Sequence, residues 1–303
     1  MSVQKQLEDA LFNNDIQLAI KITEENPDSI KSINFNNDLG DALSWIVPKN
    51  NKEQCERFYD KYFNQPYFTD GLWYPWSKHL DKFQTGEISI NEVYPHVYHL
   101  NFKSRYNSAM HFLRFQEFYE SPKYHRQFFT LVDYMEWYSL VSDDAKGSFT
   151  YPTDWSGFNV PSKCLLPFIN EPSPIPDKNK YDEYMCNLIR TIREKEKDHD
   201  FYFIGTSDNV DKENVLDHEL SHAWYTVDDN YRTKSDNLLN ELNKETLEKA
   251  REALQKTQYH ISVIDDEIVA YCSTGLSSLL KGVISEEERK PFIENFQYQM
   301  KNC

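Results

Sequence analysis

The amino-acid sequence predicts an α+β fold that is mostly helical, and three observations support this. Several stretches repeat apolar residues at the spacing of amphipathic helices, most clearly residues 181–198 and 206–227. A compact strand-like segment, residues 201–205 (FYFIG), lies between them and ends in glycine. Residues 146–177 combine turn-forming residues with short apolar runs, which is typical of strands and loops.

The N-terminal region is predicted to be helical and rich in aromatic residues. Apolar residues recur at helical spacing on both sides of Asn13-Asn14-Asp15, which indicates a short helix pair over residues 3–27. Aromatic residues are dense over residues 57–83, where core packing is the plain interpretation and a platform for aromatic or peptide groups is the alternative. Helical spacing returns over residues 105–138, with a break at Ser121-Pro122.

A run of prolines predicts a linker near the middle of the chain. Pro172, Pro174 and Pro176 cannot lie inside a helix. We place a boundary there, between residues 1–175 and residues 176–303. Beyond the linker, further helices are predicted over residues 235–258 and 260–274, the second stopped by Gly275.

Charge and cysteine content restrict the partners and the compartment that we expect. The net charge of -16 and the pI near 5.0 argue against nucleic acid as a partner, whereas a neutral or basic peptide is compatible. No apolar stretch approaches the length of about 20 residues that a membrane span needs, and no signal peptide is evident. The five cysteines are scattered and odd in number, which favours reduced thiols and a cytoplasmic protein.

A motif with metal-ligand spacing lies in the second half of the chain. Residues 218–222 read His-Glu-Leu-Ser-His, so two of the nine histidines stand four positions apart with a glutamate after the first. On a helix, His218 and His222 share one face and both imidazoles can reach one ion. Glu219 lies about 100° around the helix, directed at a water on that ion. This spacing predicts metal-assisted hydrolysis with Zn²⁺ as the metal and Glu219 as the general base.

The helix that carries the motif is predicted to be buried, because apolar residues lie on two of its sides. Buried imidazoles and a buried carboxylate need partners, which favours a metal site over a chance match on a solvated helix. The apolar positions are Val215, Leu216, Leu220, Ala223, Tyr225 and Val227.

The motif and its surroundings resemble the zincins, the superfamily of HExxH metallopeptidases. The resemblance covers mainly residues 201–275. In zincins a strand before the motif helix binds substrate by edge pairing, and residues 201–205 occupy the corresponding place. The resemblance therefore implies that residues 176–303 form a zincin-like, metal-binding catalytic domain, built from an edge strand, the HExxH helix and a later helix. Residues 1–175 would then be an accessory region that shapes substrate choice. The resemblance also implies activity on a peptide or protein substrate, and the acidic residues near the motif would favour a basic one.

Among zincins, the gluzincins supply a third metal ligand from a later helix, and Glu267 in DDEIVAY matches that pattern. Its helix is expected to place Glu267 on a partly buried face, while Asp265 and Asp266 can point outward. The resemblance thus implies a ligand set of His218, His222 and Glu267.

The metzincin pattern offers an alternative third ligand six residues after the second histidine, which here is Asp228. That pattern requires glycine at the position of Tyr225, because the helix must turn there with a positive φ. A tyrosine is strained in that conformation. Asp228 is therefore expected to be a helix-end or surface carboxylate, and it stays the alternative to Glu267.

Tyr271 is the candidate for a second catalytic group, because it lies one helical turn beyond Glu267 on the same side. Its hydroxyl could stabilise the oxyanion of a tetrahedral intermediate. His260 and Tyr231 are rivals for this role, and ordinary packing is the alternative for all three.

Two other functions remain open at this point. Two histidines and one carboxylate also form the facial triad of non-haem iron enzymes, with Fe²⁺ in place of zinc. A non-catalytic helical interaction protein with a vestigial motif is the other reading. Glu219 argues against the second, because a structural metal site needs no general base.

Overall fold

The computed structural model describes residues 2–12, 15–26, 68–69, 72–73, 88–141, 151–208, 212–256 and 259–302. These residues belong to two compact units, each drawn from separate stretches of the chain. The first unit takes in residues 1–84, 129–155 and 175–181, and the second takes in residues 85–128, 156–174 and 182–303. The chain passes from the second unit to the first after Pro174, within the proline-rich stretch. The functional division at residue 175 stays a prediction.

The first unit begins with the helix pair that the sequence predicts. Helices α1 (Val3–Phe12) and α2 (Ile16–Glu25) bury small apolar side chains, and Asp15 caps α2 by accepting from the Leu18 N–H at 3.0 Å. Two short antiparallel strands, β1 (Phe68–Thr69) and β2 (Leu72–Trp73), are all that is described of the aromatic stretch 57–83, so its proposed role as a platform lies outside the described residues.

Two more helices belong to the first unit, α4 (Leu131–Val141) and the short α5 (Tyr151–Asp154). Their tyrosines pack ring against ring, with the centroids of Tyr138 and Tyr151 5.2 Å apart. Tyr138 also donates a hydrogen bond to Asp154 at 2.7 Å.

The second unit is built on a four-stranded sheet whose order is β3-β4-β6-β5. Its strands are β3 (Ser89–Tyr94), β4 (Val97–Phe102), β5 (Phe158–Pro161) and β6 (Tyr202–Ser207). The β4–β6 pair is parallel, whereas β3–β4 and β5–β6 are antiparallel.

The prediction that residues 201–205 form an edge strand is wrong. Strand β6 lies between β4 and β5, so both of its edges are already paired, and all six of its residues are buried. The strand at that edge of the sheet is β5. The sequence shows that residues 201–205 are apolar throughout, which suits a central strand as well as an edge strand, and strand order depends on partners far away in the chain.

Helices cover both faces of the sheet around β6. On one face lies α3 (Arg105–Glu120), where the Phe112 ring is so close to Gly205 that a Cβ atom there would come within 2.4 Å of it. On the other face, Tyr202 and Ile204 share a core with α8 (Lys212–Val227). This alternation follows from the two-residue period of a strand.

Six further helices complete the second unit. Helix α11 (Ile264–Thr274) follows a short 3₁₀ turn and is stopped by Gly275 as predicted. Helix α12 (Glu286–Lys301) begins with a capping box at Ser285 and Glu288. The six are α6 (Ser162–Leu165), α7 (Lys180–Glu196), α9 (Asp229–Glu241), α10 (Lys244–Gln255), α11 (Ile264–Thr274) and α12 (Glu286–Lys301).

The stretch predicted as one helix over residues 235–258 is two helices, α9 and α10. The chain is extended at Leu242, and the Asn243 side chain then caps α10 by accepting from the Glu245 N–H at 2.8 Å. Apolar spacing continues across the break, which hides it from a periodicity argument. Across the described helices, none combines the length and apolar character that a membrane span requires.

Candidate metal centre

Helix α8 brings the two histidines of the motif together. The Nε2 atoms of His218 and His222 lie 3.3 Å apart, and the ring centroids are 4.9 Å apart. The opposite side of the helix carries Leu220, Ala223 and Trp224 into the core beneath the sheet. The apolar side thus anchors the helix, and the imidazoles face the neighbouring helix α11.

Helix α11 supplies the third member of the group. Glu267 places Oε2 3.8 Å from His218 Nε2 and Oε1 3.6 Å from His222 Nε2. One ligand atom from each of the three residues lies within 4.8 Å of the others, so the group could hold a metal ion. Glu267 lies 45 residues after His222 in the chain. The Glu267 side chain is buried, in agreement with the expectation that it lies on a partly buried face of its own helix.

Each imidazole has a polar partner for its second nitrogen. His222 Nδ1 lies 2.9 Å from Asp266 Oδ1, and His218 Nδ1 lies 3.3 Å from Thr274 Oγ1. Such partners fix the ring orientation and leave Nε2 for the ion. The expectation that Asp266 points outward is wrong, because this side chain is buried against His222. Its neighbour Asp265 is paired with Arg251 at 2.8 Å.

Glu219 lies beside this group but is held by strand β5. Its Oε2 accepts a hydrogen bond from the Asn159 amide at 2.8 Å in the buried interior. Its Oε1 lies against the backbone of Gly157, where a Cβ atom would come within 2.3 Å of that oxygen. The carboxylate is therefore held by a strand-side amide and fits only because residue 157 has no side chain.

The carboxylates around the His222 imidazole favour its positively charged form. Burial raises the pKa of the Glu219 carboxyl and of the Asp266 carboxyl. Burial lowers the pKa of the His222 imidazole, but the carboxylates of Asp266 and Glu267 outweigh it and hold that pKa well above its ordinary value. A cation placed beside His222 would be attracted by the same two carboxylates, Asp266 and Glu267.

One oxygen of Glu267 provides a test of whether these residues fit a metal. Among the described residues, Oε2 finds no hydrogen-bond donor, although it is buried. A buried carboxylate oxygen without a donor costs free energy, and a cation between it and two imidazoles would satisfy it. Two imidazole nitrogens and one carboxylate oxygen form a ligand set that suits Zn²⁺. The side chains of His218, His222 and Glu267 therefore fit a zinc ion.

The remaining sequence candidates lie in different surroundings. The Tyr271 ring packs 4.7 Å from the His218 ring, beside the group, and its catalytic role stays a prediction. The Tyr231 hydroxyl bonds to Ser221 at 2.9 Å, and the His260 ring stacks on His125 at 3.8 Å. Tyr231 and His260 thus have packing contacts of their own, and a catalytic role for either stays a prediction.

Asp228, the alternative third ligand, is the N-cap of helix α9. Its Oδ1 accepts from the backbone N–H groups of Asn230 and Tyr231, both at 2.9 Å. Its Oδ2 accepts from the Tyr94 hydroxyl at 2.7 Å and from the Gln299 amide at 2.8 Å. The His218–His222–Glu267 group forms without it.

Sequence reasoning missed the buried polar residues on β5 and α3. The Gln116 amide donates to Glu120 at 2.6 Å and its oxygen accepts from the Asn159 backbone N–H at 3.0 Å. Burial and the nearby Glu267 carboxylate raise the pKa of the Glu120 carboxyl well above its ordinary value. A signal was present for Asn159, which stands between Phe158 and Val160 and so must face the other side of its strand.

No protein-family model, curated protein or solved structure matches this chain.

Proposed function

We propose that this protein is a zinc-dependent metallopeptidase, or a related amide hydrolase, of the zincin type. His218, His222 and Glu267 would hold the zinc ion, and Glu219 would act as general base. One observation carries the proposal: two imidazoles and a distant buried carboxylate converge within 4.8 Å, and one carboxylate oxygen has no donor among the described residues.

The residues around the group supply distinct parts of a hydrolytic reaction. When bound, zinc supplies a Lewis acid that polarises an amide carbonyl and makes water more acidic. Glu219 would take a proton from the attacking water and return it to the leaving amine. Tyr271 packs on His218, and burial raises the pKa of its hydroxyl, so it would keep its proton and donate to a developing oxyanion.

Glu219 is what favours hydrolysis over other chemistry of the same ligand set. A two-histidine, one-carboxylate group also suits Fe²⁺, and a structural site needs only ligands. Neither of those uses requires a second acidic side chain held next to the three ligands. Here Glu219 is buried, lies directly after His218 in the chain, and is anchored by its own hydrogen bond from Asn159.

The proposed substrate is a peptide or protein, with basic residues favoured by the acidic chain, whose net charge is -16. The same charge disfavours nucleic acid. We propose a cytoplasmic location because the cysteines described, Cys164, Cys186 and Cys272, are buried and form no disulfide. Residues 1–175 are proposed to shape substrate choice.

The experiment is metal analysis of protein purified without added metal, followed by peptide cleavage. We expect about one zinc per chain and hydrolysis within a mixture of short synthetic peptides, read by mass spectrometry. Glu219→Gln should keep the zinc and lose about 10²- to 10⁴-fold in rate. Iron with oxygen-dependent turnover would replace the hydrolase by an iron enzyme. An unchanged rate in Glu219→Gln would remove the proposed general base.

A further inference from the structure

A chain of buried hydrogen bonds leads from helix α3 through strand β5 to Glu219. The Tyr202 hydroxyl donates to Asn159 Oδ1 at 2.5 Å, and Asn159 Nδ2 donates to Glu219 Oε2 at 2.8 Å. The Asn159 backbone N–H is bonded in turn to Gln116 Oε1. The strand, its side chain and the carboxylate are thus joined through neutral groups.

The donor pattern fixes which way the Asn159 amide points. Burial raises the pKa of Tyr202 well above its ordinary value, so its hydroxyl is protonated and can donate. The amide oxygen must face this donor, which turns the amide nitrogen toward Glu219. A flipped amide would place its oxygen against the Glu219 carboxylate and lose the hydrogen bond to it, whereas the Tyr202 oxygen could still accept from the amide nitrogen.

Gly157 leaves space for the Glu219 carboxylate because it has no side chain. A Cβ atom at residue 157 would come within 2.3 Å of Glu219 Oε1 and within 2.7 Å of a Val215 methyl group. Residues 157–159 therefore contact both oxygens of Glu219, one by close approach and the other by hydrogen bond. The three candidate metal ligands take no part in these contacts.

We infer that Asn159 is a positioning residue that holds the Glu219 carboxylate in its working orientation, and that Gly157 makes room for it. This inference rests on the proposed function, in which Glu219 is the general base. A carboxylate held in one orientation by a fixed donor needs no rearrangement when it accepts a proton. Loss of the hydrogen bond from Asn159 to Glu219 should slow turnover and leave metal binding unchanged.

The test compares Asn159→Ala and Gly157→Ala with a matched control elsewhere in the sheet. Asn101 makes the same kind of contact, accepting from the Thr206 hydroxyl at 3.2 Å and donating to Asp208 at 2.9 Å, away from the candidate site. We expect kcat for the peptide mixture to fall about 10- to 100-fold in both site variants, with KM and zinc content unchanged. Asn101→Ala should keep the wild-type kcat.

Measuring Asn159→Ala in two variants of Glu219 distinguishes a positioning role of Asn159 from a merely structural one. In the Glu219→Gln background, Asn159→Ala should cause no further loss of rate, because its effect passes through Glu219. A double-mutant cycle of Asn159→Ala and Glu219→Ala, measured by thermal unfolding, does not depend on enzyme activity. Asn159→Ala should lower the melting temperature of the wild type by clearly more than it lowers that of Glu219→Ala. Equal shifts in the two backgrounds would overturn the inference.

The outcomes also separate this inference from the proposed function. If Glu219→Gln is inactive but Asn159→Ala and Gly157→Ala both keep the wild-type kcat, the positioning role is wrong and the hydrolase remains. If the wild type cleaves no peptide, the hydrolase fails, and the unfolding cycle still decides whether Asn159 holds Glu219. Tyr202→Phe gives a graded check, with a smaller fall in kcat than Asn159→Ala.

Discussion

Helices α9 and α11 both begin with acidic residues, but the two sets of acids are used differently. At α9, Asp228 caps the helix, and donors from four residues bond its two oxygens. At α11, no side chain caps the helix, and Glu267 turns toward the histidines of α8 with one buried oxygen that lacks a donor among the described residues. The number of hydrogen-bond donors to the carboxylate distinguishes a structural acid from a candidate metal ligand more clearly than the place of the acid at the start of its helix does.

Matched amide substitutions at the two acids should separate them most strongly. Glu267→Gln removes a proposed ligand charge, so zinc affinity should fall by more than the 10- to 100-fold that changes behind the ligands typically cost. Asp228→Asn should leave the affinity at the wild-type value, because that carboxylate contacts only its own donors. Competition with a chromophoric chelator measures both. Equal losses in the two variants would mean that the donor count does not identify the ligand.

Substitutions behind the two histidines should have smaller effects of unequal size. Asp266→Asn removes the charge 2.9 Å from His222 Nδ1, and we expect about a 10- to 100-fold loss of zinc affinity. Thr274→Val removes a neutral hydroxyl at 3.3 Å from His218 Nδ1 and should cost less. The same chelator assay ranks them. A larger loss for Thr274→Val would contradict the view that the carboxylate is the stronger support.

The cap of α9 should affect stability without affecting the metal. Asp228→Ala leaves two backbone N–H groups without their acceptor and should cost about 0.5–2 kcal/mol of unfolding free energy. The matched control is Asn243→Ala at the start of α10, which loses one such bond and should cost less. Urea unfolding measures both. If Asp228→Ala lowered zinc affinity instead of stability, the roles of the two acids would be reversed.

The smallest expected effect is a pH dependence at Asp228. Burial pushes the pKa of this carboxyl upward, but hydrogen bonds from Tyr231, Tyr94, Gln299 and Asn230 outweigh it and lower the pKa below its ordinary 3.8. The stabilisation that the ionised form gives is therefore complete above pH 3.8 and is lost as the pH falls through the lower folded-state value. Asp228→Asn caps nearly as well without the charge. Urea midpoints from pH 7 to pH 3 should converge for the two proteins, and a constant difference would rule out this linkage.

Helix periodicity and the resemblance to gluzincins together led to the group of three, because only the resemblance singles out Glu267 as the third ligand. The spacing of His218 and His222 depends only on helix geometry, and Glu267 was placed on a buried face by the apolar pattern of its own helix. The same kind of argument led to the wrong expectation that the Asp266 side chain points outward. A single-helix pattern marks which side is apolar, but it cannot show that a neighbouring helix brings an imidazole to a flanking acid.

Contacts between segments that are distant in the chain could not be predicted from the sequence. The central position of β6 depends on β4, about a hundred residues earlier in the chain, and on β5. The anchoring of Glu219 by Asn159 depends on β5 lying at the edge beside α8. Period-two alternation could have shown that Asn159 faces away from Phe158 and Val160, but not which carboxylate it would meet.

Water reaches the three proposed ligands unequally. The His218 side chain is 19% exposed, whereas those of His222 and Glu267 are each 2% exposed. An ion leaving this group would first be released on the His218 side, where bulk solvent can replace that contact. A small chelator should therefore strip the protein faster than a bulky one of equal strength. Reagents that acylate imidazole should label His218 before His222, and a bound ion should shield it.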